Sequence, residues 1–260
     1  YYDRYIRARF TNETALEENA YGALATGGSV GANAAMDSAA AFLAQPDTAP
    51  VQAALRTRIE DLCEALFESI GLQTSVSSPY VAAGLERGAI LDTVDWPVNN
   101  RWWLENRFAA IRALATEQEK LAAINVILNW ENPGAGGYYD DLGNAAKQPH
   151  LVQQLPWAED PGRVSSTQNE FAWHGGDSSD PQKGGGRLSW QSSATTLFNT
   201  PLEVEYTGLD TSAGYILRVL YAGRFRPSMT LTANQGYLVH PALEQPPQPT
   251  VLEYALPKAV

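Results

Sequence analysis

The residues best equipped for chemistry gather in one loop, Asn129-Trp130-Glu131-Asn132-Pro133-Gly134-Ala135-Gly136-Gly137-Tyr138-Tyr139-Asp140-Asp141-Leu142-Gly143-Asn144, with His150 shortly after it. Paired carboxylates are the minimum equipment for glycoside hydrolysis, one as acid and one as base or nucleophile, roughly 5 to 10 Å apart. Asp140 and Asp141 supply the right groups. Neighbours on an extended backbone project to opposite faces, however, so whichever of the two faced a ligand would need Glu131, Glu17 or Glu18 as its partner. An Asp in a Gly-rich turn can equally serve by accepting backbone N–H bonds. His150 with Tyr138 or Tyr139 could abstract and return protons, which is the chemistry of polysaccharide lyases. Asp140, Asp141, Asn144 and nearby carbonyls are hard oxygen donors that could hold Ca²⁺, although their spacing departs from the calcium-loop pattern. The catalytic set expected from these residues is Asp140, Asp141, His150 and Tyr139.

Flat rings are the second resource. Trp96, Trp102, Trp103, Trp130, Tyr138, Tyr139, Trp157, Trp173 and Trp190 concentrate around the loop and the segments after it. Apolar rings match the C–H-rich faces of sugars, while flanking Asp, Asn and Gln meet the hydroxyls. The same rings could instead cement two structural units. Ligand contacts are expected from Trp130, Tyr138, Asn144, Trp157, Trp173 and Trp190. The histidines His150, His174 and His240 include no local ligand pair, so no metal site is expected from them. The segment Gly134-Ala135-Gly136-Gly137 lacks the lysine of a phosphate loop and follows a helix rather than a strand. G-x-S-x-G, H-E-x-x-H and C-x-x-C motifs are all absent, which leaves serine hydrolase, zincin and thioredoxin readings without support.

The elements that must position these groups change character near the middle of the chain. Val51, Leu55, Ile59, Leu62, Leu66 and Ile70 follow a helical spacing and predict a buried stripe, with Gly71 as the stop. Leu104, Phe108, Ile111 and Leu114 predict a helix over 101–114, and Thr116 with Glu119 forms a capping box for another over 117–130, whose buried side would be Leu121, Ile124, Ile127 and Leu128. The alanine-rich stretch 14–44 reads as two helices broken at Gly27-Gly28-Ser29, because glycine costs about 1 kcal/mol in a helix interior. Residues 92–97 read as an extended connection closed by Pro97. Beyond Asn144, the stretch 165–187 is Ser-, Gly- and Asp-rich and reads as a surface excursion. Short β-branched or aromatic runs then predict strands at 187–191, 194–198, 202–206, 214–221, 228–233, 237–239 and 251–256, with Tyr215 to Tyr221 as the central one. That spacing is characteristic of an antiparallel sandwich.

The expected fold class is therefore α+β, an N-terminal helical region followed by an antiparallel β-sandwich of jelly-roll or fibronectin-like type. Its expected divisions are a helical region over 1–130, a Gly- and aromatic-rich junction with the surface excursion over 131–186, and the sandwich over 187–260. A sandwich whose last strand is 251–256 would present an unpaired edge, so a neighbouring chain or the remainder of a longer polypeptide is expected to cover it.

Composition limits the partners. A formal net charge of -11 argues against nucleic-acid backbone and against anionic membrane surfaces. No window approaches the roughly 18 apolar residues of a membrane span. The single cysteine, Cys63, allows no disulfide framework and reads as a small buried hydrophobe.

The run from Asn132-Pro133-Gly134 to Asn144, with Gln148-Pro149-His150-Leu151, Leu188-Ser189-Trp190, Tyr206-Thr207-Gly208-Leu209-Asp210 and Tyr215 to Gly223, resembles the C-terminal part of large secreted bacterial proteins of the carbohydrate-active type. The resemblance spans most of the chain. It implies a helical region followed by an accessory, sugar-binding β-sandwich and a secreted or periplasmic setting, and it supplies no catalytic residues. The function expected on these grounds is recognition or processing of a polysaccharide, of glycoside hydrolase or lyase type or as the accessory module of such an enzyme. Two alternatives stand beside it: a non-catalytic assembly module that binds a protein partner through an exposed β edge, and a junction stabilised by calcium alone.

Overall fold

The computed structural model describes residues 1–45, 50–71, 91, 94–144, 146–152, 155–156, 158–162, 164, 167–170, 187, 193–221, 227–234, 236–247, 249 and 250–258. The chain is α+β, with helices first and antiparallel strands after them. It divides into two compact units. The first comprises Tyr1–Arg101 and Phe108–Leu128, and the second comprises Trp102–Arg107 and Asn129–Val260.

The first unit is helical: α1 (Tyr2–Ala25), α2 (Gly27–Val30), α3 (Ala32–Leu43), α4 (Pro50–Ile70), and, after α5 (Arg101–Arg112), which is divided between the units, α6 (Glu117–Leu128). The alanine-rich stretch breaks twice rather than once, at Thr26 and at Gly31, where the backbone takes φ +92°, a value that a side chain would oppose. Small residues then let helices approach closely: Ala20, Ala32, Ala35, Met36 and Ala39 are fully buried around Leu24 and Leu43. The capping box forms as expected, with the Glu119 N–H donating to Thr116 Oγ1 at 3.2 Å and the Thr116 N–H donating to the Glu119 carboxylate at 2.9 Å.

Helix α4 corrects one expectation. Leu55 and Ile59 are buried, but the rest of that side is Gln52 and Cys63, whereas Val51, Leu62, Leu66 and Ile70 are exposed. At about 100° per residue, Val51 and Leu62 fall to one side of the face that Gln52, Leu55, Ile59 and Cys63 bury, whereas Leu66 and Ile70 fall within its angular range but are exposed toward the helix end. Leu114 and Leu128, expected on buried faces, are also exposed: Leu114 lies beyond the end of α5 at Arg112, and Leu128 is the last residue of α6.

Polar anchors tie α1 to the 94–100 turn. Arg9, buried and paired with Glu13, donates to the Val94 carbonyl at 2.5 Å and to the Trp96 carbonyl at 2.7 Å. Glu13 accepts the Val98 N–H at 2.8 Å, and Glu17 accepts both the backbone and side-chain N–H of Asn100 at 2.9 Å. Among the described residues, no helix is long and apolar enough to cross a membrane.

Among the described residues, the second unit contains three two-stranded antiparallel ribbons: β1 (Gln168–Glu170) with β2 (Ser193–Thr195), β3 (Tyr215–Tyr221) with β6 (Thr250–Leu256), and β4 (Ser228–Ala233) with β5 (Tyr237–Glu244). Among the described residues β3 pairs with β6 alone, so the strand expected at the centre of a sheet lies at an edge. The run 202–206 makes a single bridge, Val204 with Leu151, in place of a strand. Strand β5 is longer than its sequence signal because Pro241 interrupts that signal without ending the strand. Most of the expected strand 187–191 lies outside the described residues.

Candidate functional site

Every loop residue singled out by sequence, where described, belongs to the second unit. Backbone geometry first sets the loop. The Gly134 N–H donates to Asn132 Oδ1 at 3.0 Å, and Gly137 closes so tightly on Pro133 that an added Cβ would lie 2.9 Å from it. After the acidic pair, the Asp141 N–H donates to the Lys147 carbonyl at 2.8 Å, the Asn144 N–H to the Asp141 carbonyl at 2.8 Å, and the Lys147 N–H to the Asn144 carbonyl at 2.8 Å. That turn brings His150 back to Asp140. The extended segment 203–205 then fixes His150 from the other side: the Glu205 N–H donates to the His150 carbonyl at 2.8 Å, and the Val152 N–H donates to the Glu203 carbonyl at 2.9 Å.

The first cluster is Asp140, His150, Tyr138 and Tyr206. The Asp140 side chain is 3% exposed and that of His150 is 24% exposed. His150 Nδ1 lies 2.9 Å and 3.1 Å from the two carboxylate oxygens, and the His150 backbone N–H donates to the same group at 3.2 Å. A carboxylate oxygen accepts, so in this contact Nδ1 of the ring carries a proton and donates it. The Tyr206 ring lies 5.0 Å from that of His150, and burial together with the Asp140 carboxylate pushes its phenol well above the usual range. It therefore remains a protonated donor. The Tyr138 ring stacks on Tyr206 at 5.3 Å between centroids and meets His150 edge-on at 4.9 Å, with its hydroxyl donating to the Thr207 carbonyl.

The second cluster is built on Glu131. Lys147 Nζ lies 2.9 Å from one Glu131 oxygen and the Arg187 guanidinium binds the other. Burial pushes the Glu131 carboxyl up, but these two cations more than offset it and hold it below the usual carboxylate value. Arg187 also donates to the Tyr139 hydroxyl at 3.1 Å and sits about 6 Å from the rings of Trp103 and Trp130, which meet edge-on at 5.2 Å. Burial pushes the Tyr139 phenol up to about 12, so at neutral pH it is neutral and is not a base.

The expected catalytic set is thereby divided. Asp140 and His150 come together, Tyr139 joins the Arg187 cluster, and Asp141 is a buried part of the turn. Tyr138 remains exposed beside His150, Trp130 packs with Trp103 and Arg187, and Asn144 spends its Oδ1 on the Ala146 N–H at 3.0 Å. Trp157, Trp173, Trp190 and His174 lie outside the described residues. Among the described residues, no group of three or more His, Cys, Asp or Glu side chains is placed to hold a metal ion, and the Asp140 carboxylate expected to bind Ca²⁺ is occupied by His150. Tyr206, Lys147 and Arg187 were not among the expected site residues. The one local hint was the alternation of 202–206, which marked extended backbone but not its partner. Comparison with protein-family models, with characterised proteins and with solved structures finds no match for this chain.

Proposed function

We propose that the second unit recognises or processes a polysaccharide, in a secreted or periplasmic protein of the carbohydrate-active type. One observation carries this reading: a partly exposed tyrosine face, Tyr138, lies against a part-exposed histidine whose Nδ1 is fixed by a buried carboxylate and whose Nε2 has no hydrogen-bond partner among the described residues. Aromatic surface for a sugar ring and a directional polar group for its hydroxyls are what carbohydrate sites combine. The strands support an accessory sandwich of jelly-roll or fibronectin-like type. Their inward residues alternate, and Tyr221 of β3, His240 of β5 and Tyr254 of β6 make ring contacts from one ribbon to the other at 5.8 Å and 5.2 Å.

The test is retention on insoluble polysaccharides. Wild type is expected to be retained on at least one, and a folded Tyr138→Ala variant is expected to lose at least about tenfold in affinity, since stacked aromatic contacts are each worth about 0.5–1.5 kcal/mol beyond their buried area. Equal retention of wild type and variant would remove Tyr138 from the site, and no retention of either would leave the assembly reading. That second reading is favoured by the outward row of the β3–β6 ribbon, where Ile216 and Leu220 are exposed and each strand has one partner among the described residues.

A further inference from the structure

We propose that the site is a catalyst of polysaccharide de-esterification, with His150 as the catalytic base and Tyr206 as a positioning residue that holds Asp140 to it. This rests on the carbohydrate reading of the same site and adds a reaction to it.

The base is set by geometry. Nδ1 of His150 is held at 2.9 Å from a carboxylate that is 3% exposed, and among the described residues Nε2 has no hydrogen-bond partner. Asp140 accepts from the imidazole and from the His150 N–H, and Tyr206 packs beside the pair, its ring 5.0 Å from the imidazole and its phenol raised by burial and by the Asp140 charge. Donors converging on one buried carboxylate occupy its lone pairs and place it to stabilise an imidazolium. The alternatives expected for a sugar enzyme find less support. Glycosidic cleavage requires a second carboxyl group that can give up a proton. Glu131 is held ionised by Lys147 and Arg187, and Asp141 is buried in the turn. Elimination from a uronate needs a cation on the substrate carboxylate, whereas Lys147 and Arg187 are engaged with Glu131. An imidazole aligned by a carboxylate in this way is suited to activating water.

The step balances with water alone. Nε2 takes a proton from a water molecule as the water oxygen bonds to the carbonyl carbon of a sugar ester, and the resulting imidazolium is stabilised by Asp140. The tetrahedral intermediate then collapses, the bond from that carbon to the sugar oxygen breaks, and the leaving oxygen takes the proton from Nε2. The products are the free acid and the sugar hydroxyl. Tyr206 touches neither substrate nor water; it keeps the carboxylate aligned with Nδ1, and so its effect should appear in turnover rather than in binding.

Acetate release from acetylated xylan, with 4-nitrophenyl acetate as a second probe, tests this. Wild type is expected to release acetate, and both His150→Ala and His150→Gln are expected to lose at least about 100-fold, the span of a positioned base. Tyr206→Phe keeps the ring and removes the hydroxyl, and it is expected to lower kcat about tenfold at unchanged KM, with ¹⁵N NMR showing loss of the single Nδ1–H tautomer of His150. No acetate release by wild type from either probe overturns the esterase assignment, even if the polysaccharide is retained. Release from 4-nitrophenyl acetate alone, with neither release from acetylated xylan nor retention on any glycan, instead overturns the carbohydrate reading. A Tyr206→Phe variant with wild-type kcat and tautomer overturns the positioning role, and a folded His150→Gln variant with wild-type release overturns the base.

Discussion

The two units bury different kinds of residue. In the first, the buried set is dominated by hydrophobics, from Ala20 and Leu24 through Met36 and Ile59 to Phe108 and Ile127, and its buried charge, Arg9, is a clasp on a turn. In the second, the described residues bury Trp102, Trp103, Leu104 and Leu151 alongside Asp141, Asp160, His240 and Gln245, and within 129–260 Leu151 is the one buried hydrophobic side chain among the described residues. Apolar burial is non-directional and gives bulk stability, whereas buried polar groups must each find a partner and so fix geometry. The helical unit therefore behaves as a body held by packing. The strand-bearing unit is a set of loops and ribbons pinned by specific hydrogen bonds, the arrangement on which ligand chemistry is usually built.

The sharpest way to break this contrast is to cut into the packed side. Phe108 is 1% exposed, and Phe108→Ala is expected to destabilise the helical unit by about 3–5 kcal/mol through lost burial and a residual cavity. Chemical denaturation followed by helical circular dichroism measures it. A loss below about 1 kcal/mol would show that the first unit does not depend on close packing.

How much of this could be read from sequence follows the same division. Signals confined to neighbouring residues were legible: the Thr116–Glu119 box, the bounds of β4 and the burial of Cys63. Periodicity over a long helix was legible only in part: Leu55 and Ile59 are inside, Leu62 steps off the buried face, and Leu66 and Ile70 are exposed toward the helix end. Long-range pairing was not legible. Tyr206 reaches Asp140 because backbone bonds from 203–205 to 150–152 bring it there, and Arg187 reaches Glu131 from a region whose composition says only that it is polar. Adjacent residues can also separate functionally. Tyr139 and Asp140 look like one constellation in sequence, yet they project into different clusters, as alternation along extended backbone requires.

A second and smaller effect separates the units by pH. Glu131 is held below its ordinary value of 4.5, burial being outweighed by Lys147 and Arg187. A carboxyl depressed on folding contributes stability that is present above 4.5 and is lost as pH falls through its folded value. The advantage of wild type over Glu131→Gln in unfolding free energy is therefore expected to be full near neutral pH and to shrink as the pH falls below 4.5. Denaturation at several pH values, followed by tryptophan emission, reports it through Trp103 and Trp130. A gap of constant size across the acid range would mean that the ionised form of Glu131 is not what the cluster stabilises.

The smallest effect belongs to a charge pair that resembles the Glu131 cluster in chemistry but not in setting. Arg218 of β3 and Glu253 of β6 are cross-strand partners with a 2.8 Å hydrogen bond, yet their side chains are 67% and 50% exposed. Water and salt screen such a pair, and holding two long side chains costs entropy, so exposed ion pairs typically contribute about 0.2–1 kcal/mol. A double-mutant cycle with Arg218→Ala and Glu253→Ala is expected to give a coupling at the low end of that range, falling further in about 1 M salt, where the screening length is near 3 Å. The neighbouring register pairs, Ile216 with Ala255 and Leu220 with Val251, keep the ribbon aligned without it. A coupling well above 1 kcal/mol that survives salt would place this pair out of bulk water, which requires another surface to cover the outer face of the ribbon.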